Sequence, residues 1–143
     1  MTAPTANIAF IAPTVSLTIA TAALVYVSST AALGAGSSAA ANLNLYICHR
    51  TGTGSIVSVG GGTFGLTSPA NQRLHYGLSA VAGPMPAGTY LFGLCGNSST
   101  AGSWANNEWG YTSAIVLAGA GSGSGITAGG TGTESVDQSP VSR

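Results

Sequence analysis

Apolar residues in this chain come in short runs, and several alternate with hydroxyl side chains at a period of two. Val15, Leu17 and Ile19 are interleaved with Thr14, Ser16 and Thr18, the pattern of a strand with one buried face. The same reading predicts strands at 14–20, 23–29, 43–49, 55–59, 74–81, 89–95 and 111–118, with a shorter one at 63–67. The separators are turn-forming: LGAGSS after the second run, RTGTG at 50–54, GGG at 60–62, AGPMPAG at 82–88 and GNSSTAGS at 96–103. Pro84 and Pro86 have no amide proton for a ladder, so 82–88 is expected as a loop. Ala favours a helix over 20–41, but the Gly, Ser and β-branched residues there argue against one. The prediction is an all-β fold, a β-sandwich or jelly roll of about seven to eight short antiparallel strands with extended terminal arms. The arms are 1–13 and the Gly/Ser-rich 119–143, and the sandwich is 14–118. The C-terminal segment, an arm or flexible tail, has too little apolar area to offset its own backbone entropy.

Composition sharpens this picture. Only 4% of the 143 residues are charged, against 45% hydrophobic, and the net charge is zero. Residues 1–49 carry no charge, and the body to residue 133 has only Arg50, Arg73 and Glu108. A free-standing domain needs mixed surface charge to resist association. The body lacks it, which points to a surface covered by neighbours in an assembly; the plainer alternative is a monomer kept soluble by Ser, Thr and Asn. Three Arg and no Lys cannot neutralise a phosphate backbone, so nucleic acid is excluded as an electrostatic partner. The uncharged stretch 8–27 is long enough to span a bilayer. Pro13 interrupts it, hydroxyls punctuate it, and no flanking cation sets an orientation, so no membrane insertion is expected. No basic segment precedes an apolar run at the start, so no signal peptide is visible. The expected location is a virion or the extracellular space.

Few constellations carry chemistry. Cys48 and Cys95 lie near the ends of two predicted strands. A bridge between them closes a loop of about 47 residues, worth roughly 4 kcal/mol on a chain-entropy basis; the alternative is two buried thiols. Cys48 and His49 are neighbours on a strand and face opposite ways, so they cannot form a catalytic dyad. Cys48, His49, His75 and Cys95 lack the close paired spacing of a zinc site. GGGTFG at 60–65 matches a dinucleotide-binding pattern only in letters, without a βαβ context. Asn97 opens a glycosylation sequon. Catalytic residues, cofactors and metals are therefore expected to be none. The most individual segment is SWANNEWGYTSAIVL, 103–117, with both tryptophans. Trp104, Asn106, Asn107, Glu108, Trp109 and Tyr111 form either a glycan-binding loop or a loop packed on the core or an interface. Glu108 is expected to pair with Arg50 or Arg73, because an unpaired acid in such surroundings is costly.

AGTYLFGLCGNSS at 87–99 and WANNEWGYTSAIV at 104–116 resemble small bacterial and phage-encoded β-domains. These domains have a Gly-Thr-Tyr strand, a Gly-x-Cys, an Asn-Asn-acid-aromatic loop and a final apolar strand. Gly88, Thr89, Tyr90, Gly93, Cys95, Asn106, Asn107, Glu108 and Trp109 carry the match. The Gly88, Tyr90, Phe92 spacing is also similar to a late strand of the C1q and tumour-necrosis-factor jelly-roll group, whose members are trimeric heads on fibres. The Ala/Gly/Thr-rich style and the MTAPT start look like phage virion proteins. The resemblance implies a homotrimeric structural protein such as a capsid decoration, head-fibre or tail subunit, with copies of itself and other assembly proteins as partners. The alternative is a lectin-like or receptor-binding module that reads a surface glycan through the 104–111 loop.

Overall fold

The structure, a computed structural model, describes residues 1–117. Eight strands follow in chain order: β1 Ala9–Phe10, β2 Val15–Ile19, β3 Ala23–Gly34, β4 Ala40–Thr51, β5 Val57–Ser68, β6 Arg73–Met85, β7 Gly88–Ser98 and β8 Gly110–Leu117. A 3-10 turn, Ala101–Ser103, precedes β8. In the larger sheet β1 and β2 pair in succession with one edge of β7, β4 takes its other edge, and β5 pairs with β4. The smaller sheet is β6–β3–β8. All these pairings are antiparallel. The two sheets pack face to face as a β-sandwich, as the periodicity predicted.

Alternation decides which side chains meet between the sheets. Leu43, Leu45 and Ile47 of β4 and Phe92 and Leu94 of β7 line the inner face of the larger sheet, while Val25, Val27, Ala31 and Leu33 of β3 answer from the smaller one. Ser29 also points inward, and its hydroxyl donates to the Tyr111 carbonyl at 2.9 Å and lies 2.7 Å from the Thr112 hydroxyl. Thr112 in turn donates to the Pro13 carbonyl at 2.6 Å, tying the edge strand β8 to the N-terminal segment. A buried hydroxyl with partners costs little, so β3 continues past residue 29, where a strand end was expected.

Three further expectations are corrected. The glycines at 60–62 do not separate two strands: β5 runs through them, because Gly60 and Gly61 form the extra residues of a bulge between the Tyr46–Gly62 and Ile47–Val59 pairs. Gly60 takes a φ of 65° there, which an L side chain rarely adopts. Residues 82–85 belong to β6 rather than a loop. Pro84 falls in the irregularity between the Val25–Ala82 and Ala23–Met85 pairs, where no ladder donor is required. Residues 1–13, expected as an arm toward neighbours, lie along their own sheet. Ala9 and Phe10 pair with Gly96 and Cys95, the Ser98 amide donates to the Thr5 carbonyl at 2.9 Å, and Ile11 is buried in the core. Ala118 and the proposed arm 119–143 lie outside the described residues.

Cys48 stands opposite Gly93 and Tyr46 opposite Cys95, so the two cysteines are diagonal neighbours across β4 and β7. Their Cα atoms are 5.9 Å apart and a disulfide joins them. It sits on the outer face of the larger sheet and is nonetheless fully buried. Denatured, unreduced protein is expected to show no reactive thiol. Reduction is expected to lower the unfolding free energy by about 4 kcal/mol in urea titrations, through the entropy of the loop it opens. Two titratable thiols before reduction would contradict the bridge.

Candidate functional site

Of the two readings of the segment between the 3-10 turn and β8, a glycan-binding loop or a loop packed on the core or an interface, its first half follows the second, and much of it turns inward. Trp104 is fully buried, its indole N–H donates to the Ala41 carbonyl at 3.0 Å, and its ring meets Tyr76 edge-on at 6.1 Å. It closes one end of the sandwich. Asn107 stands in for a strand residue: its side-chain oxygen accepts from the Gly34 amide at 3.2 Å and its amide donates to the Trp104 carbonyl at 2.7 Å. The backbone continues the ladder, with Asn106 N–H donating to the Gly34 carbonyl and Glu108 N–H to that of Ala32. Gly34 is hemmed in by Gln72, Arg73 and Asn106 backbone so closely that a methyl group there would overlap them.

Arg73 binds this segment from β6. Its guanidinium donates to the Asn106 carbonyl and side-chain oxygens and pairs with the Glu108 carboxylate. Of the two partners expected for Glu108, Arg73 is the one in contact. Arg50 lies elsewhere, its guanidinium 5.7 Å from the centre of the Phe10 ring on the larger sheet. Asn107 therefore has both side-chain polar groups engaged within the chain, Asn106 and Glu108 each give one oxygen to Arg73 while the Glu108 side chain stays 57% exposed, and Trp109 and Tyr111 remain partly open. Their rings are 5.3 Å apart, and His75 meets Trp109 edge-on at 4.6 Å over the small Ala32.

The other sequence candidates do not converge. Cys48 and Cys95 are bonded to each other, His75 is on the outer face of the smaller sheet, and His49 is registered with Phe92 in the larger one. Among the described residues no cluster of three or more His, Cys, Asp and Glu is placed to hold a metal. No helix of the described residues is long and apolar enough to cross a membrane; the stretch 8–27 contributes β1, β2 and the start of β3. The Asn97 side chain is half-buried between Asn44 and the Ala6 carbonyl. An open depression beside the 3-10 turn is lined by Gly36, Ser37, Ser38, Gly102, Ser103 and Ala105, without a charged or aromatic group to orient a ligand.

The larger feature is the outer face of the smaller sheet. Its registered rows cross β6, β3 and β8 in order. Val81, Tyr26 and Ile115 form one row, with 52%, 39% and 58% of their surface exposed. The next is Ser79, Ser28 and Ser113, and the next Gly77, Thr30 and Tyr111, with Tyr111 67% exposed. Leu24 and Leu117 extend the apolar end, and Trp109 and His75 close the other. Among the described residues no charged side chain lies between those ends. This face went unread in the sequence, although a signal was present. ALVYV at 23–27 and AIVL at 114–117 are apolar at successive positions, the mark of a strand with cover on both faces. Comparison with family models, with curated proteins and with solved structures gives no match to this chain.

Two titratable groups sense burial. Burial pushes the Tyr76 phenol above its usual range, keeping it the donor to the Thr67 carbonyl at 2.9 Å. His49 lies at one end of the core, 5.8 Å from the Tyr90 ring and 5.9 Å from Phe92, and its Nδ1 has no partner among the described residues. Burial holds its pKa below the ordinary 6.5. The unfolded chain therefore takes up this proton first as pH falls. Stability is full above about pH 6.5 and is lost as pH drops through the lowered folded value. Urea titrations from about pH 7.5 to 5 are expected to show this loss in the wild type and a flatter profile in His49→Gln. Equal slopes in the two proteins would contradict the assignment.

Proposed function

We propose that this chain is a non-catalytic structural subunit of a virion or extracellular assembly, of the capsid-decoration, head-fibre or tail kind. The observation that carries the reading is the apolar, charge-free outer face of the smaller sheet. An exposed patch of this kind, a few hundred Å² in extent, is often an interaction site. Charge depletion with aromatic enrichment is also the composition of an interface core. The near absence of ionic groups adds to this, since nothing on the face keeps neighbours apart.

The 104–111 loop supports the same reading over the lectin-like alternative. A glycan site needs free hydrogen-bonding groups around its aromatic platform. Here Asn107 is engaged by Gly34 and Trp104, one oxygen each of Asn106 and Glu108 is taken by Arg73, and Trp104 is inside. Trp109 and Tyr111 continue the apolar face and serve as its aromatic end. The homotrimer and jelly-roll head implied by the C1q-like resemblance are one arrangement that covers this face. The role needs packing surfaces rather than a nucleophile, base or cofactor.

Gradient sedimentation of cultures producing the chain, followed with an antibody, tests the reading. The chain is expected to travel with particles far heavier than its own 13.9 kDa. Recovery only in the lightest fractions, from cells and medium alike, would contradict it.

A further inference from the structure

We infer that the outer face of the smaller sheet binds a second copy of this chain, turned end for end about a two-fold axis that crosses the three strands at the Ser79–Ser28–Ser113 row. This inference rests on the assembly reading and names the neighbour.

Three features select a copy of the same chain as the occupant. The first is charge. Arg73 and Glu108, the charges nearest the face among the described residues, neutralise each other at one end, so two identical faces meet without repulsion, and neither an acidic nor a basic partner finds a counter-charge there. The second is hydrogen bonding. An axis across the strands at the serine row sets each of these serines against its own counterpart. A hydroxyl both donates and accepts, so each such pair satisfies itself through a bridging water across the roughly 10 Å between packed sheets, whereas a lipid surface would leave the hydroxyls dry and unpaired. The third is shape. The same axis exchanges the rows on either side of the serines. Val81 of one copy then lies over Gly77 of the other, where no side chain fills the space, and Tyr26 lies over Thr30. Ile115 lies over Tyr111. Bulk thus meets a smaller residue on β6 and β3, while on β8 the aliphatic side chain packs against the ring. Each contact is made twice, as an isologous interface requires.

Area sets the strength. Nine residues of β3 at about 3.4 Å each and three strands about 4.8 Å apart give a face of roughly 27 by 14 Å, about 400 Å². A standard interface buries about 800 Å² per partner. The isolated pair is therefore weak and concentration-dependent, as suits a contact that an assembly reinforces.

Sedimentation velocity of the purified full chain from about 5 to about 500 µM tests this. The weight-average mass is expected to rise toward twice the monomer value. Tyr26→Ser combined with Ile115→Ser should hold the chain monomeric, and Phe64→Ser, exposed on the other sheet, should leave the rise unchanged. Circular dichroism confirms that each variant is folded. A short bis-maleimide then reads the axis: Ser79→Cys chains should link to one another, and so should Ser113→Cys chains, the native cysteines being blocked as a disulfide. A monomer at the highest concentration, or a mass that climbs to three times the monomer, overturns the proposal. Linkage of Ser79→Cys only to Ser113→Cys on mixing also overturns it, because that places the axis along the strands. A monomeric purified chain that still travels with heavy particles in culture overturns the self-pairing and leaves the assembly reading standing.

Discussion

A sheet has two faces, and the described residues of this chain cover one face of the smaller sheet. The larger sheet spends its inner side chains on the smaller, and the N-terminal segment, laid along β7, adds Ile11 to the core between them. Nothing remains among the described residues to lie over the far side of β6, β3 and β8. β3 is the strand on which this bears most. Val25, Val27, Ala31 and Leu33 anchor the core from one side, while Leu24 and Tyr26 stand in solvent on the other. Hydrophobic burial favours covering that second side at roughly 25 cal/mol for each Å² removed from water. The architecture within one chain and the association between chains thus follow from the same effect.

The scarcity of ionic groups shapes the rest. With so few charges to spend, the chain closes its sandwich by hydrogen bonds from neutral side chains. Asn107 acts as a piece of backbone for Gly34, and Thr112 bridges Ser29 to Pro13. The Arg73–Glu108 pair is half exposed and contributes little as an ion pair. Its guanidinium matters more as a clamp, holding the 106–108 backbone beside β6. One consequence is that the segment richest in recognition-type residues is mostly committed to the fold, and what it offers outward is aromatic and apolar.

The strands were legible in the sequence wherever apolar and hydroxyl residues alternate cleanly, as at 14–20 and 89–95. Their extents were not, because local rules end a strand at Ser29, at the glycines of 60–62 and at Pro84. Tertiary partners override each of these, through a bonded hydroxyl, a bulge and an unpaired edge position. The pairing of Cys48 with Cys95 depended on strand neighbourhood, which spacing alone cannot supply. The inward turn of Trp104 was one of two readings the sequence offered, since an indole two residues before an Asn pair reads the same on a surface or in a plug. The outer face was written in the unbroken apolar runs of β3 and β8, but its meaning appeared only when register aligned Val81, Tyr26 and Ile115 in one row.

Hydroxyl-radical footprinting of assembled and dilute protein tests the central claim most directly, namely that this face is built to be covered. Tyr26, Val81 and Ile115 should be oxidised readily in the dilute chain and protected in assembled material, while Phe64 on the larger sheet reacts equally in both. Equal oxidation of Tyr26, Val81 and Ile115 in the two states would contradict the account.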